Sequence, residues 1–590
     1  MPQFSYQLKL KGGHMSHYNQ NPTIKVNGRS IAVGTSKIVD KINTYLTKDN
    51  SVVAFECYPG VNEEKVLELA KGISPEIIIH TFDFLKDEST LNEQFKYNLT
   101  NDRVFGKMYY GDVEDLIDDN SLQIVRNSIE KTVGVKVIYG LGASLVTNAD
   151  IVVYFDISRW EIQRRYRNGM PNYRCTNYNE DILIKFKRGY FIEWRIADKL
   201  KLRLKNDIDF YVDCNNDDEL KMISWETLDF CLKSTVNRPF RTVPYFDPGV
   251  WGGQWMKEKF GLDKSKVNYA WAFDGVPEEN SLIYEISDEF LEIPSMNLIL
   301  FYPRDLLGDI VYYRFGAEFP IRFDFLDTMN GQNLSLQVHP LVDYIKREFG
   351  MSYTQDESYY ILDSKKDAVV YLGLKENINA EEVKESLKRA ENGNETFNVD
   401  KYINAFPAKK HDHFLIPAGT IHCSGTNAMV LEISATPYIF TFKLWDWSRN
   451  GLDGKPRPVH LEHGSKVIQW DRRTTWVANQ LVNRIELLYE DEDYKEERTG
   501  LHAFEFIETR RYWIKKNITI DTENNFNMLN LVEGIEALVT SIDSSFEPFH
   551  INYAETFIVP ACVKSYTIEP YGESLGQEIA IIRAFVRKSV

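Results

Sequence analysis

Cysteine is scarce in this chain, with six in 590 residues (Cys57, Cys175, Cys214, Cys231, Cys423 and Cys562), and no two of them stand as C-x-x-C. That spacing argues against a thiolate-held metal cluster or a disulfide framework and for a reduced interior. No uninterrupted apolar run approaches the ~18 residues that a membrane-crossing helix needs. The opening "MPQFSYQLKLKGGHMSHYNQ" also lacks the continuous apolar core of an export signal. A soluble, cytoplasmic protein is the expectation. Long Lys/Arg blocks are missing too, and the formal charge is -17, so the surrounding field disfavours nucleic acid and anionic membrane as partners. A bound phosphate would need donors placed locally.

What is present is an ordinary globular composition, 43% hydrophobic and 26% charged. Single cores seldom grow past ~300 residues, so two to four domains are expected. From about Ser51 to Asp213, short β-branched runs ("SVVAFE", "VKVIYG", "ADIVVYFDI", "IDFYVDC") alternate with charged amphipathic stretches ("NEEKVLELAKGI", "ISRWEIQRRYRNG"). That alternation predicts βαβ units around a parallel sheet. After "TVNRPFRTVPYFDPGVWGGQW" the pattern changes to many short strands with Gly, Pro and Asn turns, interrupted by the helical "NAEEVKESLKRAENGNE". The predicted fold class is therefore multidomain: an α/β parallel-sheet domain over 1–243, an all-β domain over 244–484 with a helical insert near 378–405, and a second all-β domain over 485–590. A faint internal repeat supports two related β units. In it "HFLIPAGTIHCSG" aligns with "TFIVPACVKSYTI", Phe414 falls on Phe557, Pro417 on Pro560, and His422 on Ser565.

In "NLSLQVHPLVDYIKREFGMSYTQDESYYIL" the residues Gln337 and His339 stand two apart in an apolar run, and Glu357 opens the next predicted strand. Side chains alternate along a strand, so Gln337 and His339 point to one face, toward the interior. His422 follows the tight "PAGT" turn into another strand. Burying an amide, two imidazoles and a carboxylate is costly unless they pair or hold a cation. The mixed N/O set suits zinc, with iron, manganese or cobalt also compatible by ligand type. His411 and His413 in "KKHDHF" form a rival H-x-H pair, but the surrounding charge predicts a solvated loop.

The ordered segments "WGGQW", "FPIRFDFLD", "LSLQVHP", "DESYYIL", "LIPAGTIH", "MVLEIS" and "TFKLWDW" followed by "GKPRPVH" resemble the type I phosphomannose isomerases. These are zinc-dependent cupins that interconvert mannose 6-phosphate and fructose 6-phosphate. The resemblance runs from about Phe246 to the C-terminus. It implies jelly-roll domains, one zinc held by Gln337, His339, Glu357 and His422, and Ser335 near the substrate phosphate. It also implies Glu432 in proton transfer or support of the site. The C-terminal unit would lack the metal ligands. Three positions depart from the family, with Asp324 and Gln355 where lysine is usual and Lys443 where arginine is usual. Lys443, Arg449 and Arg457 could still supply positive charge for a sugar phosphate and for the cis-enediolate of an aldose–ketose isomerisation, and Glu432 and Lys443 are the candidate acid/base groups. A sugar-phosphate-binding protein without catalysis and a bifunctional kinase-isomerase are the alternatives.

In the N-terminal half, "VVAFECYPGVNEEKVLELA", "VIYGLGASLV" and "NADIVVYFDISRWEIQRRYRNG" resemble P-loop nucleoside and sugar kinases. A working loop needs G-x-x-x-x-G-K-[ST], and those four positions here are Cys57, Asn62, Glu63 and Glu64, a carboxylate pair where phosphate would sit. A degenerate P-loop-like domain that does not use ATP is expected. The run Arg164, Arg165, Arg167 reads as a solvated helix face.

Overall fold

The computed structural model describes residues 17–46, 50–435, 440–452, 454, 457–500 and 502–588. Five parallel strands form the centre of the first unit: β1 (Asn50–Cys57), β2 (Ile77–His80), β3 (Gly134–Gly140), β4 (Ile151–Asp156) and β5 (Phe210–Asp213). Their spatial order is β2–β3–β1–β4–β5. Consecutive residues Val53, Ala54 and Phe55 are all fully buried, as in a parallel sheet covered on both faces. Strands Lys221–Ser224 and Ala32–Val33 extend the β5 edge in antiparallel fashion. The βαβ reading of this region is thus the observed architecture, with a mixed rather than purely parallel edge.

The second half is built from antiparallel sheets. Its site-bearing strands are β6 (Arg322–Asp327), β7 (Leu336–Val338), β8 (Glu357–Ser364), β9 (Val369–Leu374), β10 (His413–Ile416), β11 (His422–Ser424), β12 (Ala428–Ser434) and β13 (Phe442–Trp445). One sheet runs β10–β8–β12–β6 and continues through Trp271–Gly275 and Tyr245–Asp247; the other runs Ile403–Pro407, β9, β11, β7, β13. Between β9 and β11 lies the expected helix, Ala380–Glu391, started by Asn379, whose side chain accepts hydrogen bonds from the backbone N–H groups of Glu381 and Glu382. From Glu486 to Val586 a further pair of antiparallel sheets, six-stranded and four-stranded, encloses its own core around Tyr512, Leu529, Val539, Phe557 and Tyr566. Both halves of the sequence repeat take one form: β10, a proline turn and β11 on one side; Thr556–Val559, Pro560 and Ser565–Pro570 on the other.

Local patterning gave no sign of the contacts that tie the units together. The early strand Thr23–Val26 pairs in parallel with Ser281–Ile286, far along the chain. Ser281–Ile286 forms an antiparallel hairpin with Glu289–Pro294, and between that hairpin and β6 lie three short helices, Met296–Phe301, Pro303–Leu307 and Asp309–Phe315, a second helical insertion. At the seam, buried Arg241 donates to Asp274 at 3.2 Å and lies 2.6 Å from Glu555, while Tyr18 donates to Asp274 at 2.6 Å. One guanidinium thus joins the N-terminal stretch, the edge of the first β unit and the C-terminal unit. Replacing Arg241 by Ala strands two buried carboxylates, and loss of one member of such a set costs about 3–5 kcal/mol. Arg241→Ala is expected to unfold at clearly lower urea than the parent when followed by tryptophan fluorescence; an unchanged midpoint would show that the cluster does not hold the units together.

Candidate metal centre

Cross-strand register assembles the centre. In the β7–β11–β13 sheet, Gln337 stands opposite both His422 and Lys443, so the three share one face. In the other sheet, Arg322, Ser434 and Glu357 form one row, and Asp324, Glu432 and Tyr359 form the next. The two faces meet between His339, Glu357 and His422, whose nearest ligand atoms all lie within 4.8 Å of one another. All three are buried.

The imidazole hydrogen bonds decide what this cluster can do. Nδ1 of His339 is 2.9 Å from the carbonyl of Phe440, and Nδ1 of His422 is 2.9 Å from the carbonyl of Thr420. A carbonyl only accepts, so each Nδ1 carries a proton, and a ring without a second proton turns the lone pair of Nε2 inward. Those Nε2 atoms stand 3.1 Å and 2.7 Å from the carboxylate oxygens of Glu357. Lone pairs facing a carboxylate repel unless a proton or a metal cation lies between them. Burial works against a charge on His339, and Glu357 more than offsets it, lifting the imidazole above its usual value. Burial would raise the Glu357 carboxyl as well, but the two imidazoles hold it well below the usual range. Nε2 of Gln337 is 3.2 Å from Nε2 of His422; turning that amide end for end presents its oxygen instead. The donor set fits a divalent metal with mixed N/O ligation.

Gln355 supports this arrangement. Its amide donates to Glu357 at 3.0 Å and accepts from the Phe440 N–H at 3.2 Å, so one side chain fixes both a ligand carboxylate and the residue whose carbonyl orients His339. Behind the cluster, burial pushes Asp324 up to about 6 against the pull of Arg322, whose guanidinium is 3.7 Å away. Burial, then Asp324 and Glu357, push Glu432 well above the carboxylate range. Arg322 and Tyr359 belong to this interior although the sequence reading did not single them out. Their alternation with Asp324 and Glu357 was the available signal.

At one end of the centre, Asp446 gathers the remaining candidates. It accepts from Ser335 at 2.8 Å, Arg449 at 2.6 Å and Arg457 at 3.0 Å. Lys443 is pushed down to about 7 by burial, then by Arg457, with Arg103 and Arg449 contributing. Two guanidiniums, Arg449 and Arg457, therefore share one carboxylate here.

Two readings from sequence need correction. "KKHDHF" is not a solvated loop: His413 begins β10 fully buried, and burial pushes its imidazole down to about 3, while His411 bridges Tyr360 and Glu533 at 2.8 and 2.9 Å. Nor is the arginine run a uniformly solvated face. Arg164 and Arg165 pair with buried Glu161, Arg165 also pairs with Asp217, and Arg167 reaches Asp247. In the phosphate-loop position, a Cβ built on Gly60 (φ +108°) would lie 2.8 Å from Ile162. Arg165 donates to the Gly60 carbonyl at 3.2 Å, and Glu63 at the helix start lies 2.9 Å from His80. Ile162 thus packs directly on Gly60, leaving no room for a side chain there.

The family whose model matches residues 34–237 is described as a domain of unknown function, DUF8485. Part of the chain is distantly homologous to mannose-6-phosphate isomerases. It is 27% identical over 236 residues to mannose-6-phosphate isomerase ManA of Bacillus subtilis, covering 40% of this chain and 69% of that protein. It is 27% identical over 266 residues to the probable mannose-6-phosphate isomerase GmuF of the same organism, covering 44% and 78%. With mannose-6-phosphate isomerase of Streptococcus mutans the figures are 25% over 326 residues, covering 54% and 92%. Among solved structures, mannose 6-phosphate isomerase from Bacillus subtilis superposes with a TM-score of 0.48 at 17% identity, over 59% of this chain and 99% of that one.

If the cluster is a metal site, the purified full chain dialysed against a divalent metal will retain about one ion per chain by elemental analysis, as a closed N/O set predicts. Glu357→Gln, which keeps the shape and removes the charge, should lose that ion; retention at full stoichiometry would contradict the assignment.

Proposed function

We propose that the protein is a zinc-dependent aldose–ketose isomerase that interconverts mannose 6-phosphate and fructose 6-phosphate through a cis-enediolate. The observation that carries the reading is the pair of imidazoles with both Nδ1 atoms committed to carbonyls and both Nε2 atoms turned onto one buried carboxylate. The distant homology to proteins named as mannose-6-phosphate isomerases supports the choice of substrate. A cupin-like description of the two β units and a degenerate kinase-like origin for the first unit belong to the same proposal.

Gln337, His339, Glu357 and His422 would hold the metal. Bound there, zinc supplies Lewis-acid polarisation of the sugar's carbonyl and positive charge for the enediolate. Ser335, Arg449 and Arg457 would bind the phosphate, and Asp446 keeps the serine hydroxyl and both guanidiniums to one side of the centre. Lys443, with its value brought near 7, is matched to accept the C2 proton at neutral pH. Glu432, whose carboxyl is pushed well above its usual range by burial and by Asp324 and Glu357, is the group able to return a proton. Asp324 and Gln355, standing where the resemblance leads one to expect lysine, favour the second reading, a sugar-phosphate-binding protein without turnover. Gln355 has a structural task beside Glu357, however, and Asp324 is paired with Arg322. Glu63 and Glu64, where a working phosphate loop has Lys and Ser/Thr, speak against a kinase-isomerase.

Mannose 6-phosphate incubated with the metal-loaded protein in deuterated water is expected to take up deuterium at C2, and the signal should vanish on chelation and in His422→Ala. No exchange on any hexose phosphate would move the assignment to the binding reading. A base must be unprotonated to act, so kcat/KM should rise as pH passes upward through about 7, where Lys443 loses its proton. In Lys443→Arg, which stays charged, that limb should disappear and activity should fall by about 10²-fold or more; a surviving limb would assign the base elsewhere.

A further inference from the structure

We infer that the cleft where the second helical insertion, the segment before β8 and the C-terminal unit meet is a binding site for a phosphorylated sugar, separate from the metal centre. Arg314 and Arg587 would take the phosphate there and Glu505 a sugar hydroxyl. The inference does not depend on the isomerase reading.

The cleft encloses a cavity of about 260 Å³. Helix Asp309–Phe315 lines it with Arg314 and Phe315, and the segment before β8 lines it with Tyr353, Thr354 and Asp356. Phe504, Glu505, Phe506 and Arg587 close it from the C-terminal unit. Small-molecule sites commonly run to roughly 300–1,000 Å³, so this one suits a metabolite of monosaccharide size and not a dinucleotide.

Two guanidiniums open onto the same cavity, and among the described residues neither Arg314 nor Arg587 forms an ion pair. Each is nevertheless placed. Arg314 lies over Phe315 and Phe506, 5.1 Å from each ring centroid. Arg587 donates through Nη2 to the Ala503 carbonyl at 3.0 Å, and its main-chain N–H reaches the Phe506 carbonyl at 2.9 Å. A guanidinium has five N–H donors, so most of theirs remain for a ligand. Planar, permanently charged forks of this kind suit the oxygens of a phosphate.

The wall beside them is aromatic. Phe315 packs against Tyr353 and Phe506 with ring centroids 5.3 and 4.8 Å away, and Tyr353 and Phe506 are 5.9 Å apart. Phe504 lines the cavity while 62% exposed, an aromatic face open to a partner. Ring faces next to a few polar groups match the apolar face of a sugar ring and its hydroxyls. Glu505 supplies such a group. It is buried, only 5% exposed, and its Oε1 receives no hydrogen bond among the described residues. A buried carboxyl oxygen without a donor is costly, and a ligand hydroxyl provides one.

The segment before β8 is held rigidly. The Thr354 hydroxyl donates to the Pro340 carbonyl. Asp356 accepts at its side chain from the Ala418 N–H at 2.8 Å and at its carbonyl from the Ala435 N–H at 2.9 Å. A wall fixed in advance limits the ordering entropy spent on binding. The same segment separates the two sites. Gln355 and Glu357 share one side, joined by their 3.0 Å bond, and in extended chain Asp356 between them turns to the other.

The test is calorimetric titration of the metal-loaded full chain with glucose 6-phosphate and, in parallel, with inorganic phosphate and with glucose. Glucose 6-phosphate is expected to bind at least tenfold more tightly than either of the others. The double variant Arg314→Ala/Arg587→Ala should weaken it at least tenfold, whereas Arg457→Ala and chelation of the metal leave this binding event as it was. Glu505→Ala should weaken glucose 6-phosphate several-fold and leave inorganic phosphate unchanged. Absence of saturable binding overturns the inference, as does affinity unchanged in the double variant. Loss in Arg457→Ala or on chelation also overturns it, because the event would then belong to the metal centre. Equal affinity for glucose and glucose 6-phosphate would remove the phosphate from the assignment, and an equal loss for phosphate and sugar phosphate in Glu505→Ala would remove the sugar. Should the double variant not fold, Arg314→Gln and Arg587→Gln taken singly are each expected to weaken glucose 6-phosphate, and unchanged affinity in both overturns the inference.

Discussion

Two imidazole rings whose Nδ1 protons are already given to backbone carbonyls cannot both aim Nε2 at one buried carboxylate unless positive charge lies between them. That constraint organises the first β unit. The carbonyls come from Thr420, in the turn before β11, and Phe440, just before β13, so the tautomers of His422 and His339 are set by backbone that the sheets hold in place. Gln355 links the same Phe440 to Glu357. A ligand, its carboxylate partner and the orienting backbone thus move together, the kind of support around a metal site that keeps ligand geometry and basicity fixed.

The interior behind the centre holds the buried residues Arg322, Asp324 and Glu432, and its chemistry follows from close packing of acids. Asp324 and Glu432 are cross-strand neighbours with one guanidinium nearby, so burial and mutual repulsion favour keeping a proton between them. On the opposite side, cations outnumber the carboxylate around which they gather. The centre therefore lies between a row of buried acids and a cluster of cations.

Much of the centre was legible from sequence because its determinants are local. Strand alternation put Gln337 and His339 on one face, the "PAGT" turn delivered His422 into a strand, and Glu357 opened another. What remained hidden depends on partners far away in the chain. "KKHDHF" looks solvated because its cover, Arg511 and Glu533, lies about a hundred residues on; buried His413 shows how a charged local context can mislead. Phe105, whose ring centroid lies 5.2 Å from that of Phe442, carried no signal at all, since no periodicity reports which surface of another unit a segment will cover. The pairing of Thr23–Val26 with Ser281–Ile286 was hidden for the same reason. The phosphate-loop position was read from its residue types, and the packing of Ile162 against Gly60 explains why glycine is kept there.

The central claim concerns ligation, and X-ray absorption at the zinc edge of the loaded full chain tests it most directly. The account predicts a closed first shell of nitrogen and oxygen at about 2.0–2.2 Å, with the outer-shell scattering of two imidazoles and no sulfur. A sulfur shell near ~2.3 Å, or a spectrum without imidazole scattering, would place the metal elsewhere and contradict the account.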